Sequence, residues 1–279
     1  MSFLVTTLPQ TWPWLILMAA LAAGWSAQRG LAFALLAVFA AAAVAAGHLT
    51  PLALVAMATG LLFASFIPRT RGPVRLIGHA VLILWSLVLG AHLLPGVQNL
   101  LILDNVQSGP ASAPYSLHLN LDKPLVVFAL LLAWPVLLRR NDPAGRPVLL
   151  SGLLLLAALL PLALLTGALR LEPGFPEWAL LWMASNLLLT CLAEEAFFRG
   201  YLQQGLSRRF GPAAGIAAAS LLFGLVHLGA GPAVAGFAAL LGLACGLGYW
   251  GSGTFRVPVL MHFAFNLTHL LLFTYPASA

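Results

Sequence analysis

From Val148 to Leu169 the chain reads VLLSGLLLLAALLPLALLTGAL, with no charged residue anywhere in it. A helix rises about 1.5 Å per residue and the hydrocarbon core of a bilayer is about 30 Å thick, so a run of this length crosses a membrane once. Outward from it in both directions, Gly, Pro and Arg punctuate further apolar runs. The expected spans are 12–27, 31–47, 52–68, 76–95, 125–138, 148–169, 177–199, 213–230, 232–250 and 257–273. The predicted fold is therefore all-α, a polytopic transmembrane helix bundle of about ten spans.

Composition excludes the alternatives. Of 279 residues, 61% are hydrophobic and 7% charged, whereas a soluble domain carries roughly 25% charged residues. No water-soluble fold hides so much apolar surface. No Lys or Arg precedes the first apolar run, so the basic start of a cleavable signal peptide is missing and residues 12–27 are expected to stay as a span. The net charge of +6 sits mostly between spans, so it reports orientation and implies no nucleic-acid partner. Cys191 and Cys245 fall inside apolar segments without Cys-x-x-Cys spacing, which argues against a disulfide or a cysteine metal site.

One alternating topology gathers the basic residues. With the N-terminus outside, the inner loops hold Arg29; Arg69, Arg71 and Arg75; Arg139, Arg140 and Arg146; Arg208 and Arg209; and Arg256. Only Lys123 and Arg170 are left outside, with Arg199 near a span end. Both termini are then extracytoplasmic. The Ala, Leu and Gly richness, with Arg far exceeding Lys, points to a bacterial inner membrane. Residues 1–124 form spans without an assigned role plus a long extracytoplasmic loop, Val97 to Pro124, expected to be irregular. Residues 125–176 are connecting spans, and residues 177–279 carry the polar groups that call for explanation. Trp12, Trp14, Trp25, Trp178 and Trp182 read as interfacial anchors, His79 and His92 as isolated packing or interfacial residues, and Gly236, Gly242, Gly246 and Gly248 as sites of close helix packing.

An ionisable group inside a span costs at least a few kcal/mol, so each needs a partner or a task. In Glu194-Glu195-Ala196-Phe197-Phe198-Arg199, Glu195 and Arg199 are spaced as an i, i+4 ion pair with the acid first, the favoured order. Glu194 points about 100° away around the helix, with no basic residue one turn from it. Either both acids belong to a structural salt-bridge network, or Arg199 holds Glu195 while Glu194 serves as a base. In Phe223-Gly-Leu-Val-His227, Phe223 and His227 share a face, although a lone His in an apolar helix is more often a packing residue. His262-Phe-Ala-Phe-Asn266 stacks His262 and Asn266 on one face of the last span, with His269 near it. A carboxylate, two imidazoles and an amide on three spans are what amide hydrolysis needs: a base for a water and donors for an oxyanion.

The ordered set Glu194-Glu195-x-x-x-Arg199, Phe223-x-x-x-His227 and His262-x-x-x-Asn266 resembles the signature of the type II CAAX prenyl endopeptidase and bacteriocin-processing membrane protease family, over residues 177 to 275. The resemblance implies hydrolysis of a peptide bond at or within the membrane, on a membrane-associated protein or peptide. Glu194 and His227 would activate water, His262 and Asn266 would hold the oxyanion, and Glu195, Arg199 and Phe223 would support them. It implies a glutamate-type peptidase without a cofactor. The chain has no His-Glu-x-x-His, yet Glu194, His227 and His262 could still form a zinc site with an open fourth position. A proton- or cation-coupled transporter would use the same intramembrane acids and imidazoles, and a non-catalytic scaffold would bind a partner's span. One mismatch stands out. Counted from the cytoplasmic boundary, His227 lies about 21 Å along its span and His262 only a few residues in, so either the eighth span begins earlier or the loop Gly200 to Gly211 dips into the bilayer.

Overall fold

In a computed structural model the backbone is described for residues 2–279 and the side chains for residues 11–279. The helices are α1 (Ser2–Trp25), α2 (Arg29–Ala45), α3 (Pro51–Phe66), α4 (Gly72–Gly90), α5 (Leu125–Ala133), α6 (Arg146–Leu165), α7 (Ala179–Phe210), α8 (Pro212–Leu225), α9 (Pro232–Ser252) and α10 (Arg256–Leu272). Among the described residues five segments are long and apolar enough to cross a membrane: Pro51–Arg69, Gly72–Gly90, Arg146–Leu165, Ala179–Phe210 and Pro232–Ser252. Thr11–Trp25, Arg29–Ala45 and Pro212–Leu225 are shorter apolar helices. The chain is thus a largely helical integral membrane protein, with Leu52, Leu76, Leu84, Leu154 and Leu165 turned outward where a soluble fold would place polar groups.

The chain divides into two compact units. The first comprises residues 1–104, 117–137 and 177–193. Here Thr50 caps α3, its hydroxyl accepting from the Ala53 amide at 3.2 Å, with Pro51 in the first turn. The α2–α3 connection is tied to the segment after α4 by the Thr50 amide on the Gly96 carbonyl at 2.9 Å. The expected span 125–138 is instead the nine-residue α5, about 13 Å long and too short to cross a bilayer as a helix. Its continuous burial explains how it survives, because protein and not lipid surrounds it. Its ends nonetheless reach opposite ends of the unit. Before it, Asp122 meets His92 beyond α4; after it, the Pro135 carbonyl accepts from Arg29 at the start of α2. Arg29 and the arginines of the α3–α4 connection, Arg69, Arg71 and Arg75, therefore gather at one end.

The second unit comprises residues 105–116, 138–176 and 194–279. In it α6 and α8 both pack on α9. Gly152 lets the α6 backbone approach closely: a Cβ there would stand 2.8 Å from the Ala244 carbonyl. The Asn141 amide donates to the Gly253 carbonyl at 2.8 Å, and Gln204 reaches the Tyr249 hydroxyl at 2.9 Å. These contacts place the connections holding Arg140, Arg146, Arg208 and Arg256 at one end, while Arg170 lies at the other beside Thr274.

Several sequence expectations are corrected. The loop from Val97 to Pro124 is not irregular throughout; Leu100–Val106 (β1) and Tyr115–Leu119 (β2) pair as a two-stranded sheet, and Tyr115, Leu117 and Leu119 alternate with Ser116 and His118 as strand residues do. His92 lies past the end of α4 and is no isolated residue, since its Nδ1 stands 2.8 Å from Asp122. Trp14, Trp178 and Trp182 are buried, not interfacial, because their large apolar area is worth more inside. Gly236 has open space around its Cα and makes no close packing. Residues 200–210 are no loop: α7 runs unbroken through them and turns at Gly211, whose φ of 87° favours glycine.

Candidate active site

The site is built in the second unit, on α7 from Glu194 onward and on α8, α9 and α10. Two π-helical stretches, Asn186–Cys191 and Ala196–Gln203, flank the short α-helical turn Leu192–Glu195 that carries both glutamates. Such widened turns recur at functional sites because they re-aim side chains that a regular helix would bury elsewhere.

Glu195 and Arg199 are both fully buried, and Arg199 Nη1 donates to Glu195 Oε1 at 3.0 Å. Charges removed from water require pairing, which here is incomplete: Glu195 Oε2 and Arg199 Nε are buried without a hydrogen-bond partner. Arg199 Nη2 donates to the Gly242 carbonyl at 3.0 Å, and its guanidinium lies 4.7 Å from the Phe223 ring centre. Glu195 Oε1 takes a second bond from His262 Nδ1 at 2.8 Å. A carboxylate only accepts, so Nδ1 carries the proton and the ring is held in one orientation. His262 Nε2 then faces Glu194, whose Oε2 stands 3.8 Å away, a spacing that a bridging water spans. Glu194 is partly exposed, with 12% of its side chain accessible.

Phe223 joins the two histidines, its ring lying 5.7 Å from His262 and 4.7 Å from His227. His227 lies just beyond the end of α8 and is half-buried; its Nδ1 donates to the Phe223 carbonyl at 2.7 Å, which leaves Nε2 as the acceptor of the neutral ring. Asn266 sits one turn beyond His262 on α10, half-buried. The depth mismatch resolves through α7. Phe210 and Pro212 flank a tight turn, so counting back from one and forward from the other by equal steps brings Arg199 beside Phe223. Gln204 lies level with Tyr249, closer to the end of α9 than Gln204 is to the end of α7, so α7 overshoots and the straight counting overstates the difference in depth.

The backbone partners that hold α7 to α9 were hidden in the sequence. Arg199 is paired with the Gly242 carbonyl, and Gln203 with the Gly246 carbonyl at 3.0 Å. The shared i, i+4 spacing of Arg199/Gln203 and Gly242/Gly246 was the available signal, yet the glycines read only as packing residues. As for zinc, among the described residues no three His, Cys, Asp or Glu side chains stand together as a metal-binding set, although the Glu195 bond to His262 Nδ1 leaves Nε2 turned outward as in zinc-ligating histidines.

Against this geometry the comparison with known families can be set. Residues 176–268 match the type II CAAX prenyl endopeptidase Rce1-like family. No curated protein and no solved structure matches the chain. The Rce1-like segment is one third of the chain; it contains α7, α8 and α9 whole and α10 as far as Thr268. Every residue of the cluster, from Glu194 to Asn266, lies inside the Rce1-like segment, and the matched stretch ends two residues past Asn266.

Proposed function

We infer that this protein is an intramembrane endopeptidase that hydrolyses a peptide bond of a membrane-associated protein or peptide. The observation that carries the reading is His262 standing between two carboxylates, 2.8 Å from Glu195 and 3.8 Å from Glu194, within the segment similar to a prenyl endopeptidase family. Glu194 takes a proton from a water, which His227 Nε2 helps to orient by accepting its other proton, as the water oxygen attacks the scissile carbonyl carbon. The resulting oxyanion is held by His262 and by the Asn266 amide. The proton on Glu194 then passes to the amide nitrogen as the C–N bond breaks, leaving a carboxyl and an amine.

His262 can hold the oxyanion only as an imidazolium, in which Nδ1–H stays on Glu195 and Nε2–H points at the substrate; a neutral ring would offer a lone pair there. Glu195 and Arg199 are positioning residues in this scheme. Low dielectric strengthens each donor relative to water. No step is routed through a metal. The protein acts in a bacterial inner membrane with both termini outside, an orientation supported by the collection of arginines at one end of each unit.

Terminal-peptide proteomics of cells carrying the intact protein and cells carrying Glu194→Gln tests the reading. Peptide ends that vanish with the substitution are expected; identical terminomes, with both proteins present at equal levels, would contradict it. Activity of the purified protein after dialysis against a chelator is expected to be unchanged, and its loss with recovery on adding zinc would replace the metal-free mechanism.

A further inference from the structure

The first 103 residues contain four arginines and no Asp or Glu. Three of those arginines, Arg69, Arg71 and Arg75, are exposed at the α3–α4 connection, so nothing within that stretch neutralises them. Arg71 also stands as N-cap of α4, whose first-turn amides and dipole add positive potential at the same end. A groove of about 430 Å³ runs between α3 and α4, lined by Ala56, Gly60, Phe63, Val81, Trp85 and Leu94. Thr59, which also lines it, donates its hydroxyl to the Val55 carbonyl at 2.8 Å, so it leaves the groove apolar.

The two features are close to each other along the helix axes. Arg75 to Val81 and Arg69 to Phe63 are six residues each, about 9 Å of helix, and the groove continues along α3 to Ala56 for about another 10 Å. One leaflet of hydrocarbon is about 15 Å deep. An acyl chain whose headgroup rests at the arginines therefore enters the groove within its own leaflet. We propose that α3 and α4 form a binding site for one anionic glycerophospholipid, its phosphate held by Arg69, Arg71 and Arg75 and one acyl chain lying in the groove. The arginines alone would attract any anion; the groove selects a lipid, since a free phosphate has nothing to place there. The two solvents this protein meets supply both halves of the ligand: the bilayer interior fills the groove and the headgroup layer supplies the charge.

The test uses the full chain in nanodiscs of phosphatidylcholine mixed with phosphatidylglycerol, with bound lipid counted by native mass spectrometry. Phosphatidylglycerol is expected to be retained over phosphatidylcholine, and replacing all three arginines with Gln should erode that preference roughly five-fold for each arginine removed. The corresponding Lys replacements, which keep the charge, should largely preserve it. Ala56→Phe, which fills the groove, should lower lipid retention with the arginines intact, and inorganic phosphate should not compete. Equal retention of the two lipids, an unchanged preference in the Gln variant, displacement by phosphate, or full retention in Ala56→Phe would each overturn the proposal. The Lys variant and Ala56→Phe, checked by thermal unfolding, keep the test decisive if the Gln variant fails to fold.

Discussion

The buried ion pair decides how the candidate site tolerates change. Arg199 has no water to fall back on, so its partners are Glu195, the Gly242 carbonyl and the Phe223 ring. Arg199→Met is expected to cost roughly 3–5 kcal/mol, because the buried Glu195 loses its guanidinium partner and keeps only the His262 bond. Adding Glu195→Gln to it should cost less than the sum of the two single changes, by on the order of 1 kcal/mol or more, since the lone charge is then gone. Thermal unfolding of the four proteins in one detergent checks this; strict additivity would mean that the pair is not coupled. Gly242→Ala places a Cβ 3.2 Å from Arg199 Nη2 and 3.1 Å from Ser220 Cα, so it is expected to lower stability by about 1–3 kcal/mol through crowding. The spacing of Glu195 and Arg199 was legible because both lie on one helix. The bond from Glu195 to His262 was not, because it joins residues 67 apart in the chain, and no local periodicity reports such a contact.

Elements were legible where apolar runs were long and uninterrupted, as in α3, α4, α6 and α9. They were misread where polar residues enter a helix. Arg199-Gly200 looked like the end of a span, yet α7 continues to Phe210 because Arg199, Gln203 and Gln204 all find buried partners there. The π-helical stretches around the glutamates leave no mark in hydropathy. The far end of the second unit shows another element-scale device. Ser112, fully buried, donates to the Glu172 carboxylate and accepts from Ser108 at 2.8 Å and from the Tyr275 amide at 2.9 Å. It thereby fastens three separate stretches: the loop before β2, the segment after α6 and the C-terminal tail. Ser112→Ala would remove these three bonds together, leaving Ser108 on the Tyr275 carbonyl and Glu172 on the Ala111 amide, and is expected to cost about 1–3 kcal/mol. A drop in melting temperature with earlier proteolysis of the C-terminal tail is expected. An unchanged tail would show that the backbone pairing of Ala113 with Ala277 suffices.

At the scale of the whole chain, the grouping of arginines was more legible in the sequence than the span count. Arginines alternate between loops, and each unit collects them at one end even though α5 is too short to be a full span. Both native cysteines are buried, so single introduced cysteines can be read against a quiet background. A cysteine at Arg140 is expected to react with an impermeant maleimide only from the cytoplasmic face, and one at Arg170 only from the opposite face. Exchanged faces would invert the proposed topology, and the same face labelling both would break it. The proposed peptidase rests on Glu194 acting as the base beside His262. Its most direct measurement is cleavage of a membrane-anchored reporter by purified protein in liposomes, comparing the intact chain with Glu194→Gln at matched melting temperature. The account predicts a fall in rate of at least about 100-fold in the variant, with binding of the reporter retained; a variant that cleaves as fast as the intact protein would contradict it.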